Sequence, residues 1–296
     1  MDLKTYIAER RALVDQALDR CLPKEEGPAG EVMRAMRYSV FAGGKRVRPI
    51  LCLAACEAMG GDIEQVLPVA CALECIHTYS LIHDDLPAMD DDDYRRGVPT
   101  CHKVFGEAMA ILAGDGLLTF AFQLLSGVSH NAGRRKSNPL EATQVIARAA
   151  GVHGMVGGQV VDMASEGKDV NAGTVRYIHT HKTAALIAGS IQAGALIAGG
   201  HRNKIKAMGH YGEALGLAFQ VIDDILDIEG DAGEMGKATG ADLRRKKATY
   251  PSVYGLEKSR GIASRLVEEA IDSLRGFGAE AEPLRAIARY ILDRKK

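Results

Sequence analysis

The sequence predicts an all-α fold, a single bundle of long helices, and three observations carry that prediction. Apolar residues recur at three- and four-residue spacing along almost the whole chain of 296 residues, which is the period of a helix face and not the alternation of a strand. Alanine and leucine, both strong helix formers, are abundant, and tryptophan is absent. The 9 prolines and many of the 33 glycines sit mostly between the periodic stretches, where they can break helices.

In order along the chain, the first helix is read in YIAERRALVDQALDRCL (6–22), closed by LPKEEGPAG (22–30). LCLAACEAM (51–59) is the next periodic stretch and stops at GGD (60–62). The apolar helix after it runs into SLIHDDLPAMD, where Pro87 breaks or kinks it, and 87–100 is a connection. AMAILAGDGLLTFAFQLL (108–125) follows, with a connection at 129–140. GVHGMVGGQVVDMA (151–164) and LIAGSIQAGALIAGG (186–200) are rich in small residues yet keep helical spacing, as close helix packing requires. The second of these reads as a buried central helix or a subunit interface. HYGEALGLAFQVIDDIL (210–226) is amphipathic, and 229–250, glycine-rich and charged, is expected to be a mobile lid. No connection has the look of an interdomain linker, so residues 1–296 are taken as one domain.

Charge excludes some functions. With 37 basic and 38 acidic residues the net charge is -1, so no global field draws the chain to nucleic acid or anionic lipid. The N-terminal segment lacks the basic-then-apolar order of a secretory signal, and no membrane span is expected. The cytoplasm is the expected compartment, and the 6 cysteines are expected as free thiols. Cys52 with Cys56 and Cys71 with Cys75 stand four apart on helical stretches, a spacing open to a four-thiolate metal site. Structural zinc sites favour tighter spacing in loops, so core packing is the preferred reading.

Two aspartate motifs carry the chemistry. In DDILD, Asp223 and Asp227 share one helix face while Asp224 is rotated by about 100°. Like charges at that spacing, inside the apolar frame FQVIDDILDI, repel unless a cation joins them. A carboxylate set without histidine or cysteine suits magnesium, which keeps waters and takes substrate phosphates in its remaining positions. In DDLPAMD the break at Pro87 is expected to leave Asp84, Asp85 and Asp90 as inward ligands, while Asp91, Asp92 and Asp93 read as a solvated loop. Cations stand close in sequence: Lys45, Arg46 and Arg48 in FAGGKRVRP, Arg95 and Arg96, and Lys182 in HTHKTAAL. Arginine grips phosphate oxygens bidentately and lysine as a point charge, so such a set can hold a diphosphate.

In this order, GGKRVRP (43–49), HTYSLIHDDLPAMDDDDYRRGVPTCH (77–102), GDGLL (114–118), GGQVVD (157–162), HKTAAL (181–186), FQVIDDILD (219–227), GK (236–237) and KATYP (247–251) resemble the trans-isoprenyl diphosphate synthases, and most of all their bacterial farnesyl diphosphate synthases. The resemblance implies a bundle around a central cavity, the isoprenoid synthase fold, and a homodimer. It implies three magnesium ions per site, with manganese able to substitute. Asp84, Asp90 and Asp223 would bridge those ions to an allylic diphosphate, with Asp85, Asp224 and Asp227 in the same shells. Arg95, Lys182, Lys237 and, as a cation of the closing loop, Lys247 would grip that diphosphate, and Thr183 and Gln220 would line the reacting end. Lys45, Arg48, His77 and Arg96 would bind isopentenyl diphosphate.

Tyr79, five residues before Asp84, stands about one and a half turns back along the helix. In the resembled family a bulky side chain there stops chain growth, so a 15-carbon product, farnesyl diphosphate, is expected, with a 20-carbon product as the alternative. A terpene cyclase would not need GGKRVRP and a second binding site, and an inactive partner subunit would show eroded aspartates.

Overall fold

In the computed structural model, residues 1–129, 137–229 and 247–294 are described, and they form a helical bundle around one apolar core. Helix α1 (Leu3–Cys21) starts under Asp2, whose carboxylate accepts from the Thr5 N–H and satisfies a first-turn donor. Helices α2 (Gly30–Phe41), α3 (Val47–Ala58) and α4 (Ile63–Asp84) follow, the last capped in the same way by Asp62. A hairpin of β1 (Tyr94–Arg95) and β2 (Val98–Pro99) leads to α5 (Cys101–Phe105) and α6 (Glu107–Ser126). Then come α7 (Pro139–Ala150), α8 (Met155–Ser165) and α9 (Ala172–Ile178). A π-helical turn at His179–Ala184 joins α9 to α10 (Ala185–Ile197), and α11 (Arg202–Glu229) is the longest element. After the gap come α12 (Tyr250–Tyr254), α13 (Leu256–Ser273) and α14 (Glu282–Asp293).

Helix α10 is the centre of the bundle. From Leu186 to Ile197 nearly every side chain is buried, and the helix packs on α3, α7 and α11. A helix apolar all round has to be enclosed, which is why small residues recur on it. A Cβ added at Gly194 would meet the Cys52 carbonyl oxygen at 2.1 Å, so glycine lets α3 and α10 close backbone to backbone. The six thiols are free, and Cys52, Cys56, Cys71 and Cys75 lie buried in this core.

The structure corrects one expectation. The connection 87–100 contains the hairpin, whose two turn residues, Arg96 (φ 54°) and Gly97 (φ 81°), both take left-handed backbone as two-residue hairpin turns require. Two helices, α4 and α6, are also long and apolar enough to cross a membrane by length and composition. For α4 the reason is burial, with 72% of its apolar window inside the fold. Only 33% of the α6 window is covered.

Candidate active site

Helix α4 ends on the first motif. Beyond Pro87 the chain folds back on the helix end: the Asp90 N–H donates to the Asp84 carbonyl at 2.8 Å and the Asp91 N–H to the Leu86 carbonyl at 3.1 Å. That return brings the carboxyl groups of Asp84 and Asp90, six residues apart, to one place. Burial pushes the Asp84 carboxyl up to about 6, with Lys182 pulling it down and Asp90 adding to the rise.

Asp85 behaves differently. It is 3% exposed and grips the Arg95 guanidinium, which donates from Nε at 2.7 and 2.8 Å and also from Nη2. Asp85, expected in a metal shell, and Arg95, expected on the diphosphate, thus hold each other. Arg95 also stands 3.7 Å from Asp92. Asp91 and Asp93 are exposed at the rim, Asp93 paired with Lys103 at 2.7 Å. Asp91, Asp93 and buried His102 can offer one ligand atom each within 4.8 Å of one another.

The second motif lies on α11. Asp223 is partly buried, which pushes its carboxyl up against the pull of Arg294, whose Nη1 is 3.1 Å away, and of Lys45. Arg294 also lies over the Phe219 ring at 4.4 Å, so the start of the DRKK tail covers this part of the site. Asp227 is partly buried as well. Asp224 is turned into the protein, as its rotation on the helix requires: it is 2% exposed and accepts from Gln220 Nε2 at 3.0 Å and from the Tyr250 N–H at 2.8 Å, with His179 Nε2 at 3.0 Å. Both of its oxygens are therefore engaged by protein groups.

The cations take two places. Lys182, in the π-helical turn, donates to Asp162 of α8 at 2.5 Å, and Lys247 stands 3.6 Å from Asp90. Gly158 makes the first contact feasible, since a Cβ there would lie 2.2 Å from the Lys182 nitrogen. Thr183 donates to Gln220 Oε1 at 2.8 Å, which continues the chain of bonds to Asp224. Asp162, His179, Lys182, Thr183, Gln220, Asp224 and Lys247 line one cleft with about 420 Å³ of empty space.

The other cations surround His77. Burial, then Arg48 and Arg96, holds that histidine well below its usual range, so the ring stays neutral. Arg48 has a buried Nε with no partner, and Arg96 donates to the Gly43 carbonyl. Lys45 is exposed beside them and feels the charge of Asp223. An orphaned guanidinium nitrogen among like charges fits a missing anion. Arg46 separates from its neighbours: it is 3% exposed and bonded to Asp15 and Glu74, both at 2.7 Å, and to the Val40 carbonyl at 2.8 Å. It braces the GGKRVRP loop and is not available as a clamp. Lys237 and most of 229–250 lie outside the described residues.

A model of the family described as polyprenyl synthetase matches residues 30–287. The chain belongs to the polyprenyl synthetase family. It is 49% identical over 298 residues to the heterodimeric geranylgeranyl pyrophosphate synthase large subunit 1 of Arabidopsis thaliana, covering 99% of this chain and 80% of that one. With the geranylgeranyl diphosphate synthase of Cyanophora paradoxa it is 48% identical, covering 99% and 97%. The crystal structure of an FPP/GFPP synthase from Zymomonas mobilis superposes with a TM-score of 0.84 at 40% identity, covering 98% of both chains. This family member has the all-α isoprenoid synthase fold and is a trans-prenyltransferase acting on isoprenoid diphosphates, with divalent metal taken through its aspartate motifs.

The donor set fits that metal. Asp84, Asp90, Asp223 and Asp227 offer only carboxylate oxygens, the hard ligands a magnesium ion prefers, and burial of Asp84 disfavours its charge until a cation arrives. Sequence reasoning missed two contributors. Asp162 lies within the quoted GGQVVD without a role read for it. His179 precedes HKTAAL by two residues and carries no spacing signal.

Proposed function

We propose that this chain condenses isopentenyl diphosphate head-to-tail with allylic diphosphates and releases geranylgeranyl diphosphate, the 20-carbon product, with magnesium as its metal. The observation that carries the condensation is the pairing of two aspartate motifs with a basic cluster of Arg48 and Arg96 around His77. One diphosphate needs metal and the other only cations, and the two halves of the site offer those two environments. The length follows the relatives, whose names include geranylgeranyl diphosphate synthases at 48 and 49% identity. A second reading, the 15-carbon product expected from the sequence, is favoured by Tyr79, 7% exposed and edge-on to His83 at 5.8 Å between ring centres, a bulky ring directly below the first motif.

Asp84, Asp90, Asp223 and Asp227 would hold three magnesium ions, which when bound neutralise the charge that develops on the departing diphosphate. Lys182 and Lys247 would orient that group, and the Thr183–Gln220 pair would line the carbon end. Arg48, His77, Arg96 and Lys45 would fix isopentenyl diphosphate with its double bond facing the allylic carbon. Once the carbon–oxygen bond breaks, the double bond would attack the allylic cation, and transfer of a proton to the released diphosphate would restore an alkene. Exclusion of water would keep the cation from being captured. No side-chain nucleophile takes part, and a neutral His77 suits diphosphate binding better than proton abstraction.

The same reading includes a homodimer, supported by the open apolar face of α6, where Ile111 and Leu112 are 45% and 54% exposed. It also includes a cytoplasmic setting, which six free thiols support. The test is incubation with labelled isopentenyl diphosphate plus dimethylallyl, geranyl or farnesyl diphosphate, with and without magnesium, followed by chromatography. A 20-carbon end product that needs magnesium is expected. A product that stops at 15 carbons selects the second reading, and a cyclic hydrocarbon or no condensation overturns both.

A further inference from the structure

Asp224 differs from the acids beside it in what it faces. Three groups converge on its two oxygens: the donors Gln220 Nε2 at 3.0 Å and the Tyr250 N–H at 2.8 Å, with His179 Nε2 at 3.0 Å. The His179 ring is itself held, 4% exposed, with Nδ1 2.8 Å from the Val175 carbonyl oxygen and the Tyr250 ring 5.1 Å away. A hydrated dication needs an accessible carboxylate oxygen, and Asp224, although it borders the cleft, is 2% exposed with both oxygens engaged by protein groups.

The Tyr250 N–H is the first of α12. The residue before it, Thr249, closes a capping box with Ser252, its Oγ1 accepting from the Ser252 N–H at 3.3 Å and its own N–H donating to Ser252 Oγ at 3.2 Å. That box makes 249–252 a stiff unit, so a tether at Tyr250 also restrains Lys247 three residues earlier. Lys247 in turn stands 3.6 Å from Asp90, on the opposite motif. The π-helical turn at His179–Ala184 aims His179 at Asp224 and Lys182 at Asp162 from neighbouring positions, the kind of local adjustment found at functional sites.

We propose that Asp224 and His179 are positioning residues: they anchor the Tyr250 N–H and thereby hold Lys247 over Asp90, and Asp224 does not ligate the divalent ions. The second motif then divides its labour, with Asp223 and Asp227 serving the metal and Asp224 joining α11, the π-helical turn and α12. What Lys247 grips, an allylic diphosphate, rests on the reading under Proposed function, whereas the anchoring does not depend on it.

The test compares Asp224→Asn, Asp224→Ala, His179→Ala, Lys247→Ala, the Asp224→Ala/Lys247→Ala double variant and Asp223→Asn. Magnesium is titrated calorimetrically at saturating inorganic diphosphate. Asp223→Asn is expected to weaken it about tenfold and Asp224→Asn to leave it within about twofold, while equal weakening by both overturns the proposal. Hydrogen exchange of the 247–254 peptide, with no substrate present, is expected to quicken in Asp224→Ala and His179→Ala; unchanged exchange overturns it. In kinetics, Asp224→Ala and Lys247→Ala are each expected to raise the allylic KM about tenfold with a smaller change in kcat, and the double variant to match the single ones. Additive effects overturn it. Asp224→Asn keeps an oxygen for the Tyr250 N–H and is expected to recover most of the KM, which separates anchoring from misfolding. If the wild type condenses nothing, the reaction assignment fails, and the exchange and magnesium measurements still decide the anchoring.

Discussion

Tyr79 and Asp84 are five residues apart on α4 and carry different predictions. The Tyr79 ring is buried and edge-on to His83, about one and a half turns before the aspartates. Tyr79→Ala is expected to lengthen the product by at least one five-carbon unit relative to wild type, read by chromatography of the extracted prenols, whichever product the wild type makes. Asp84 governs pH dependence. Its pKa in the folded chain is raised from 3.8 to about 6, so in the metal-free protein its favourable neutral form is complete below 3.8 and lost as pH rises through about 6. Magnesium takes the ionised form. The rise in melting temperature on adding magnesium is therefore expected to be large at pH 8, to shrink through about pH 6 and to be small at pH 5.

Among the elements, the π-helical turn and α8 set the Lys182 ammonium. Gly158 has the Lys182 backbone within 2.2 Å of where a Cβ would stand, and that obstacle is backbone, which cannot swing aside. Gly158→Ala is expected to push the turn off α8, break the Lys182–Asp162 pair and lower kcat/KM by about tenfold to a hundredfold, as a displacement near 1 Å does elsewhere. A stable chain with wild-type kinetics would show that the turn has room to move. The element scale also separates what the sequence discloses from what it does not. The 223/227 spacing is legible because the helix period alone decides which carboxylates share a face, and the 84/90 pairing because Pro87 signals the break after which the chain folds back. The hairpin at 94–99 is not, because four residues of strand lack any alternation to read, and a π-helical turn shares the apolar spacing of an α-helix.

At the scale of the whole molecule the fold was the most legible feature, because periodic apolar stripes must be covered and a bundle covers them. LIAGSIQAGALI shows the limit of that reasoning: composition left a central helix and an interface open, and burial of α10 from Leu186 to Ile197 decides for the centre. Arg46 shows another. In GGKRVRP three cations look alike, and only the long-range partners Asp15 and Glu74 distinguish the brace from the clamps. In the proposed homodimer the exposed face of α6 is where a second copy would pack. Leu112→Glu, on that face, is expected to shift the chain from dimer to monomer in sedimentation, with the helical content retained; a dimer that survives the charge would place the contact elsewhere.

Three ion pairs, Lys247 with Asp90, Arg294 with Asp223 and Arg95 with Asp85, already engage carboxylates and cations on which a metal and a diphosphate would draw. A diphosphate arriving alone must draw cations away from carboxylates and strand those carboxylates, and a metal arriving alone strands the cations. Each ligand repairs the imbalance left by the other, so the two are thermodynamically linked, and the linkage is reciprocal: magnesium must tighten diphosphate by the same factor by which diphosphate tightens magnesium. Titrations of each in the presence and absence of the other are expected to return one coupling factor of about 10 or more, and removal of the metal by chelation should release the diphosphate with it.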